Sequence, residues 1–248
     1  MGIQSGNPAF AGTIFEQWAR ADRRGYVMTV EGTALKSLLL LIILTATAAW
    51  SWTQAGQGEI NVALLIGSGI GALIVGFATV FNPRWAPVSA PIYAGLEGVL
   101  LGAISNLVDQ RYPGIAVQAV ALSFGTLFCM LCVYVTGLIR VTDKLIAGVT
   151  AATGAIALVY LVSWILGFFG IAVPFLYSSS PLGIGFSLLV VALAAFNLLL
   201  DFDVIEKGAR YEAPKFMEWY GAFGLMVTMI WLYLEILRLL AKLRERED

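Results

Sequence analysis

Apolar residues run along this chain in long, nearly uncharged stretches separated by short polar clusters. Each stretch approaches the length of about 20 residues that a helix needs to cross roughly 30 Å of hydrocarbon. Backbone groups must be satisfied within such a stretch once it lies in lipid, so each is expected to be helical. Seven are expected. They cover 36–52, 60–81, 85–107, 115–139, 145–169, 182–200 and 216–240. Punctuation supports these limits: Asn82-Pro83 after the second, Asp109 to Gly114 after the third, and Ser178-Ser179-Ser180-Pro181 before the sixth. The seventh ends in a charged Arg-Glu-Arg-Glu-Asp tail.

Composition agrees with this pattern. Of 248 residues, 59% are hydrophobic and 12% charged, against roughly a quarter charged in a soluble domain. The expectation is an all-α membrane protein with about seven transmembrane helices, residues 36–248 forming one membrane domain and residues 1–35 a cytoplasmic segment. Arg20, Arg23 and Arg24 stand there among acids, and no apolar run precedes a small-residue cleavage site, unlike a signal peptide.

Orientation follows from the basic flanks. An inside N-terminus puts Arg20, Arg23, Arg24, Lys36, Arg84, Arg140, Lys144, Lys207, Arg210 and Lys215 on the inner side, leaving Arg111, Arg238, Lys242, Arg244 and Arg246 outside. A cytoplasmic N-terminus is expected. The basic tail argues the other way for an odd number of spans, unless the seventh segment is re-entrant.

Charge and chemistry narrow the function classes. A net charge of −1 gives no basic surface for nucleic acid. With no histidine, histidine metal sites and histidine-activated Ser or Cys nucleophiles are excluded. Cys129 and Cys132 have redox-pair spacing but lie mid-span among apolar residues, where packing explains them better than a lowered thiol pKa. Glycines at 67, 69, 71 and 76 suggest a close-packed face on the second span. No enzyme activity and no resident cofactor are expected.

Acids within or beside spans are the informative residues, because an ionisable group in a membrane helix is costly and suggests a functional site by default. Glu97 is near the middle of the third span, Asp201 and Asp203 close the sixth, Glu218 opens the seventh, and Glu235 lies deep in it. Asp203 and Glu218 also suit a wetted interface. Glu235 can pair with Arg238 three residues on. Aspartyl intramembrane proteolysis would need two facing acids at mid-membrane, and only Glu97 is clearly placed there.

Several segments in this order resemble the bacterial branch of the Bax inhibitor-1 family. They are Ser5 to Pro8, Met28 to Gly32, Ala90 to Gly98 with Gly102, Asp201 to Gly208, and Leu232 to Leu240. The resemblance covers nearly the whole chain. It implies a bundle with the last helix central, in a bacterial inner membrane. It also implies a pH-sensitive calcium leak gated by two acids on the sixth and seventh helices that share a proton and are steadied by an arginine. Calcium would be the transported ion, with Asp201 and Glu235 its candidate ligands. Asp201, followed by Ile205 and Gly208, fits the sixth-helix acid. On the seventh helix, the Leu-Tyr-Leu-acid pattern points to Glu235. Depth in a tight hairpin with its tip near Ala209-Arg210 points to Glu218. Arg84, just past the second span, stands nearest the family's arginine. The candidate gating set is therefore Asp201, Asp203, Glu218, Glu235 and Arg84.

Physical logic supports such a set independently. Two carboxyls crowded in low dielectric cannot both be charged cheaply, so the pair can hold a proton near neutral pH. Carboxylate oxygens also suit calcium. The partners expected are the bilayer and calcium or another cation. The competing reading is a non-transporting regulator acting on other membrane proteins or proteases.

Overall fold

The structure is a computed structural model and describes residues 27–57, 62–170, 176 and 178–247. The segment 1–26, most of the expected cytoplasmic arm, lies outside the described residues. Seven long helices follow: α1 Val30–Gly56, α2 Val62–Phe81, α3 Ala86–Arg111, α4 Ile115–Val135, α5 Asp143–Phe168, α6 Pro181–Arg210 and α7 Met217–Glu247. All seven are long and apolar enough to cross a membrane. α7 is continuous, so a re-entrant seventh segment is not what the chain forms. The two ends of the described chain thus fall on opposite faces of the bundle.

Several helices outrun the apolar stretches because their ends are capped in polar surroundings, whereas α4 stops at Val135, four residues short of the expected 139. The Thr29 side chain accepts from Gly32 N at 3.0 Å, which starts α1 six residues before the expected Lys36. Thr142 caps α5 by accepting from Leu145 N at 3.3 Å. Ser180 caps α6 by accepting from Gly183 N at 3.2 Å, as its place before Pro181 suggests. α6 continues ten residues past Leu200, carried by Asp203–Lys207 and Glu206–Arg210 pairs at i,i+4.

α7 is the most buried helix and the centre of the bundle. α1, α3, α4 and α6 pack directly on it, whereas α2 leans on α3 and α5 on α6. Tyr220, Phe223 and Met226 of α7 fill the core together with Leu40 of α1, Ala90 and Ala94 of α3 and Val204 of α6. Outer helices turn apolar side chains outward instead: Leu73, Ile74 and Phe77 on α2, Phe128 on α4, Trp164 and Phe168 on α5. So broad an exposed apolar surface needs lipid to cover it. Cys129 and Cys132 are exposed on this surface of α4 rather than packed within the bundle.

α1 and α3 form the closest helix pair. A Cβ on Gly98 would overlap the Leu44 carbonyl and the Thr47 hydroxyl, and one on Gly102 would overlap the Ala48 carbonyl. The Ser51 hydroxyl then donates to Val99 O at 2.7 Å, a polar contact made possible by the short interhelical distance. On α2, Gly69, Gly71 and Gly76 face Leu100, Leu96 and Tyr93 of α3. Three of the four glycines of the expected small-residue face therefore pack inside the bundle, whereas a Cβ on Gly67 would meet nothing within 4 Å.

Candidate functional site

Three levels of α7 and its neighbour α6 carry buried ionisable groups. The first lies on the face where α1 begins. Glu218 stands in the first turn of α7, where the partial positive charge of a helix start favours an acid. Its side chain is 0% exposed. Oε1 accepts from Thr29 N at 2.9 Å, from Thr29 Oγ1 at 2.9 Å and from Lys215 Nζ at 2.7 Å. Oε2 pairs with Lys36 Nζ of α1. The segment before α1 is pinned beside it, with Met28 N donating to Ala213 O at 2.7 Å and Val27 bridging to Pro214. Gly32 is required here, since a Cβ would fall on the Glu218 carboxylate.

A second cluster lies deeper along α7, past its middle. Glu235 is 2% exposed. Arg238 Nη1 donates to both its oxygens at 2.7 Å. The Tyr160 hydroxyl of α5 donates to the same oxygens at 3.0 and 3.1 Å and accepts from Arg238 at 2.6 Å. One turn further on, Lys242 donates to Gly183 O at 3.0 Å and to Ser187 Oγ at 2.8 Å, both on α6.

Between them is Asp201, 0% exposed on α6 among Leu198, Leu199, Leu200 and Val204. Its depth corrects the expected hairpin. A Cβ on Gly221 would meet Ile205 Cγ1 at 3.3 Å, so the two helices are level at those residues. The tip is therefore near Ala213, not Ala209-Arg210, because α6 keeps its helical bonds to Arg210 and the chain turns through Tyr211–Phe216. Asp201 then faces the level of Leu225. At 1.5 Å per residue it lies about 10 Å from the level of Glu218 and about 15 Å from that of Glu235.

The expected gating set is thus not gathered at one point. Asp203 pairs with Lys207 at 2.6 Å on another side of α6. Arg84 sits in the 3₁₀ turn Pro83–Trp85 that joins α2 to α3. Asp201 and Glu235, the candidate calcium ligands, occupy different levels. Among the described residues no three Asp, Glu, His or Cys side chains converge as metal ligands do. Glu97 is half-buried on α3. One turn before it, Tyr93 stacks edge-on against Phe223 of α7 at 5.1 Å.

Sequence reasoning missed Thr29, Lys36, Lys215 and Tyr160 as partners. A signal existed for one of them: Lys36 is the single cation at the head of an otherwise uncharged stretch, and such a charge needs a nearby acid.

A family model described as Bax inhibitor 1 like matches residues 7–245, nearly the whole chain. No curated protein and no solved structure matches.

Proposed function

The chain belongs to the Bax inhibitor 1 like family, and on that premise we propose that it is a pH-sensitive cation leak, with calcium as the transported ion. One observation carries this reading: Asp201 is fully buried in a membrane bundle, against the central helix, between two further levels that hold buried acids. Ionisable groups at such depth mark ion or proton paths more often than they serve packing. In this reading Asp201 is the titrating group. The Glu218–Lys36–Lys215 cluster ties α7 to α1 at its first turn, and Glu235–Arg238–Tyr160 ties it to α5 past its middle. Gain or loss of a proton at Asp201 changes the α6–α7 contact, a two-state element that could open the bundle.

The basic flanks favour the α1-start face as cytoplasmic, in a bacterial inner membrane. A reporter fused near Gln57 should then read external, and a cytoplasmic signal there would reverse the orientation. The function is tested with purified protein in liposomes loaded with a calcium indicator. Flux should vary with pH in the parent, and Asp201→Asn should flatten the profile, since an amide keeps the shape but cannot titrate. An unchanged profile removes Asp201 as sensor. Absence of flux at every pH removes the leak and favours a non-transporting regulator.

A further inference from the structure

Beyond the leak, and independently of it, a cation-lined cavity lies at the end of α7 farthest from the α1 start. It is an open cavity of about 320 Å³. Arg111, Arg238 and Lys242 line it, Glu245 is its one acid, and Leu107 and Leu176 supply apolar wall. The charges are unevenly answered. Arg238 is held from behind by Glu235. The Glu245 carboxylate accepts from the Ser179 hydroxyl at the rim. Among the described residues, neither Arg111 nor Lys242 has a carboxylate within ion-pair distance. Lys242 is only 4% exposed, and its two acceptors, Gly183 O and Ser187 Oγ, are neutral. Lysine is among the residues least often buried without a partner, and burying a cation is costly unless an anion compensates it.

We propose that this cavity binds a phosphate-class oxyanion, held by Arg111, Arg238 and Lys242. The chemistry fits the lining. A guanidinium fork meets two oxygens of a phosphate in parallel, and an ammonium meets a third as a point charge. Counting Glu235 and Glu245, the five charged groups leave one net positive charge for the ligand. The cavity opens at the end of a membrane-spanning helix, where phosphodiester headgroups lie, and its leucines can contact acyl carbons. Basic pockets between transmembrane helices bind anionic headgroups in this manner. A free phosphate presents the same oxygens without the chains.

The test uses the full chain purified in a neutral detergent. Three probes are compared: short-chain phosphatidylglycerol, short-chain phosphatidylcholine and inorganic phosphate. Native mass spectrometry reads retained adducts, and thermal unfolding reads stabilisation, which rises with ligand concentration over Kd. Retention of phosphatidylglycerol over phosphatidylcholine, with about tenfold weaker binding in Arg111→Gln and in Lys242→Met, supports a lipid headgroup site. Stabilisation by inorganic phosphate without lipid preference, lost in the same variants, supports the oxyanion site with a soluble ligand. Arg210→Gln, which removes a cation at the other end of the bundle, should leave binding unchanged. Should Lys242→Met fail to fold, Arg111→Gln at the rim decides alone. Equal response to all three probes, or equal binding by parent and Arg111→Gln, overturns the proposal.

Discussion

Two levels of α7 solve one problem in different ways. Each buries a glutamate, Glu218 in the first turn and Glu235 seventeen residues on. Glu218 has one local donor, Lys215, and takes the rest from far along the chain: Thr29, with its backbone N–H and hydroxyl, and Lys36. Glu235 takes its main donor from the next turn of its own helix, Arg238, with Tyr160 of α5 closing the triangle. The first cluster is therefore part of the tertiary structure, welding α7 to α1 and the segment before it. The second is largely an intrahelical pair that α7 carries with it. Burial alone does not distinguish them; the sequence distance to the partner does.

The largest expected effect is at Glu218. Glu218→Ala strands Lys36, which is 20% exposed, and the Thr29 N–H, while the half-exposed Lys215 can turn to water; removing one side of a buried pair costs about 3–5 kcal/mol. Thermal unfolding in detergent should show this. A loss below about 1 kcal/mol would mean that the first turn is no better welded than the Glu235 level. Gly32→Ala comes next. Its methyl must displace the carboxylate, an overpacking cost of about 1–3 kcal/mol. Since both changes break one contact, the double variant should lose less than the sum of the two; strict additivity would separate Gly32 from Glu218.

Glu235→Gln should cost less, about 1–2 kcal/mol, because Arg238 is 38% exposed and can turn toward water or headgroups. The amide still accepts from Tyr160. Combining it with Arg238→Gln should show strong coupling, measured as a double-mutant cycle. A loss as large as that of Glu218→Ala would erase the difference between the two levels.

This contrast also marks where sequence reasoning stopped. The seven spans were legible because lipid demands about 20 apolar residues, and no other constraint produces that pattern. The break at Ser180-Pro181 and the Glu235–Arg238 pair were legible because each is local. Glu218 was visible as an acid at a helix start, but its partners Thr29 and Lys36 come from 189 and 182 residues away, which spacing cannot reveal; only Lys215 is local. The level of Asp201 was misjudged because hairpin depth depends on where α6 ends. Two i,i+4 pairs, Asp203–Lys207 and Glu206–Arg210, extend α6 beyond its apolar stretch. Gly98 and Gly102 were noticed as part of a resemblance, but their reason, contact with the α1 backbone, needed the packing.

The smallest expected effect lies two residues from Glu235, at Tyr233. Its hydroxyl is hydrogen-bonded to Ser105 of α3, beside a narrow apolar cavity lined by Leu44, Phe124 and Ile230. Tyr233→Phe removes that bond and leaves the ring, which packs in the core beside Leu101 and Met229. The Ser105 hydroxyl also donates to Leu101 O at 2.6 Å, so it is not left unsatisfied. Interhelical hydrogen bonds inside membranes average only about 0.6 kcal/mol, because a partly unfolded chain in lipid finds other partners. Tyr233→Phe should therefore lower unfolding stability by about that amount, near the limit of a careful detergent titration. Its value is as a baseline. If one neutral bond at mid-membrane is worth as much as the Glu235 pair, the charges of that pair add nothing to stability, and their burial must be explained by ion passage or by ligand binding. A loss several times smaller than that of Glu235→Gln would mean instead that the pair holds α7 in place, as the geometry indicates.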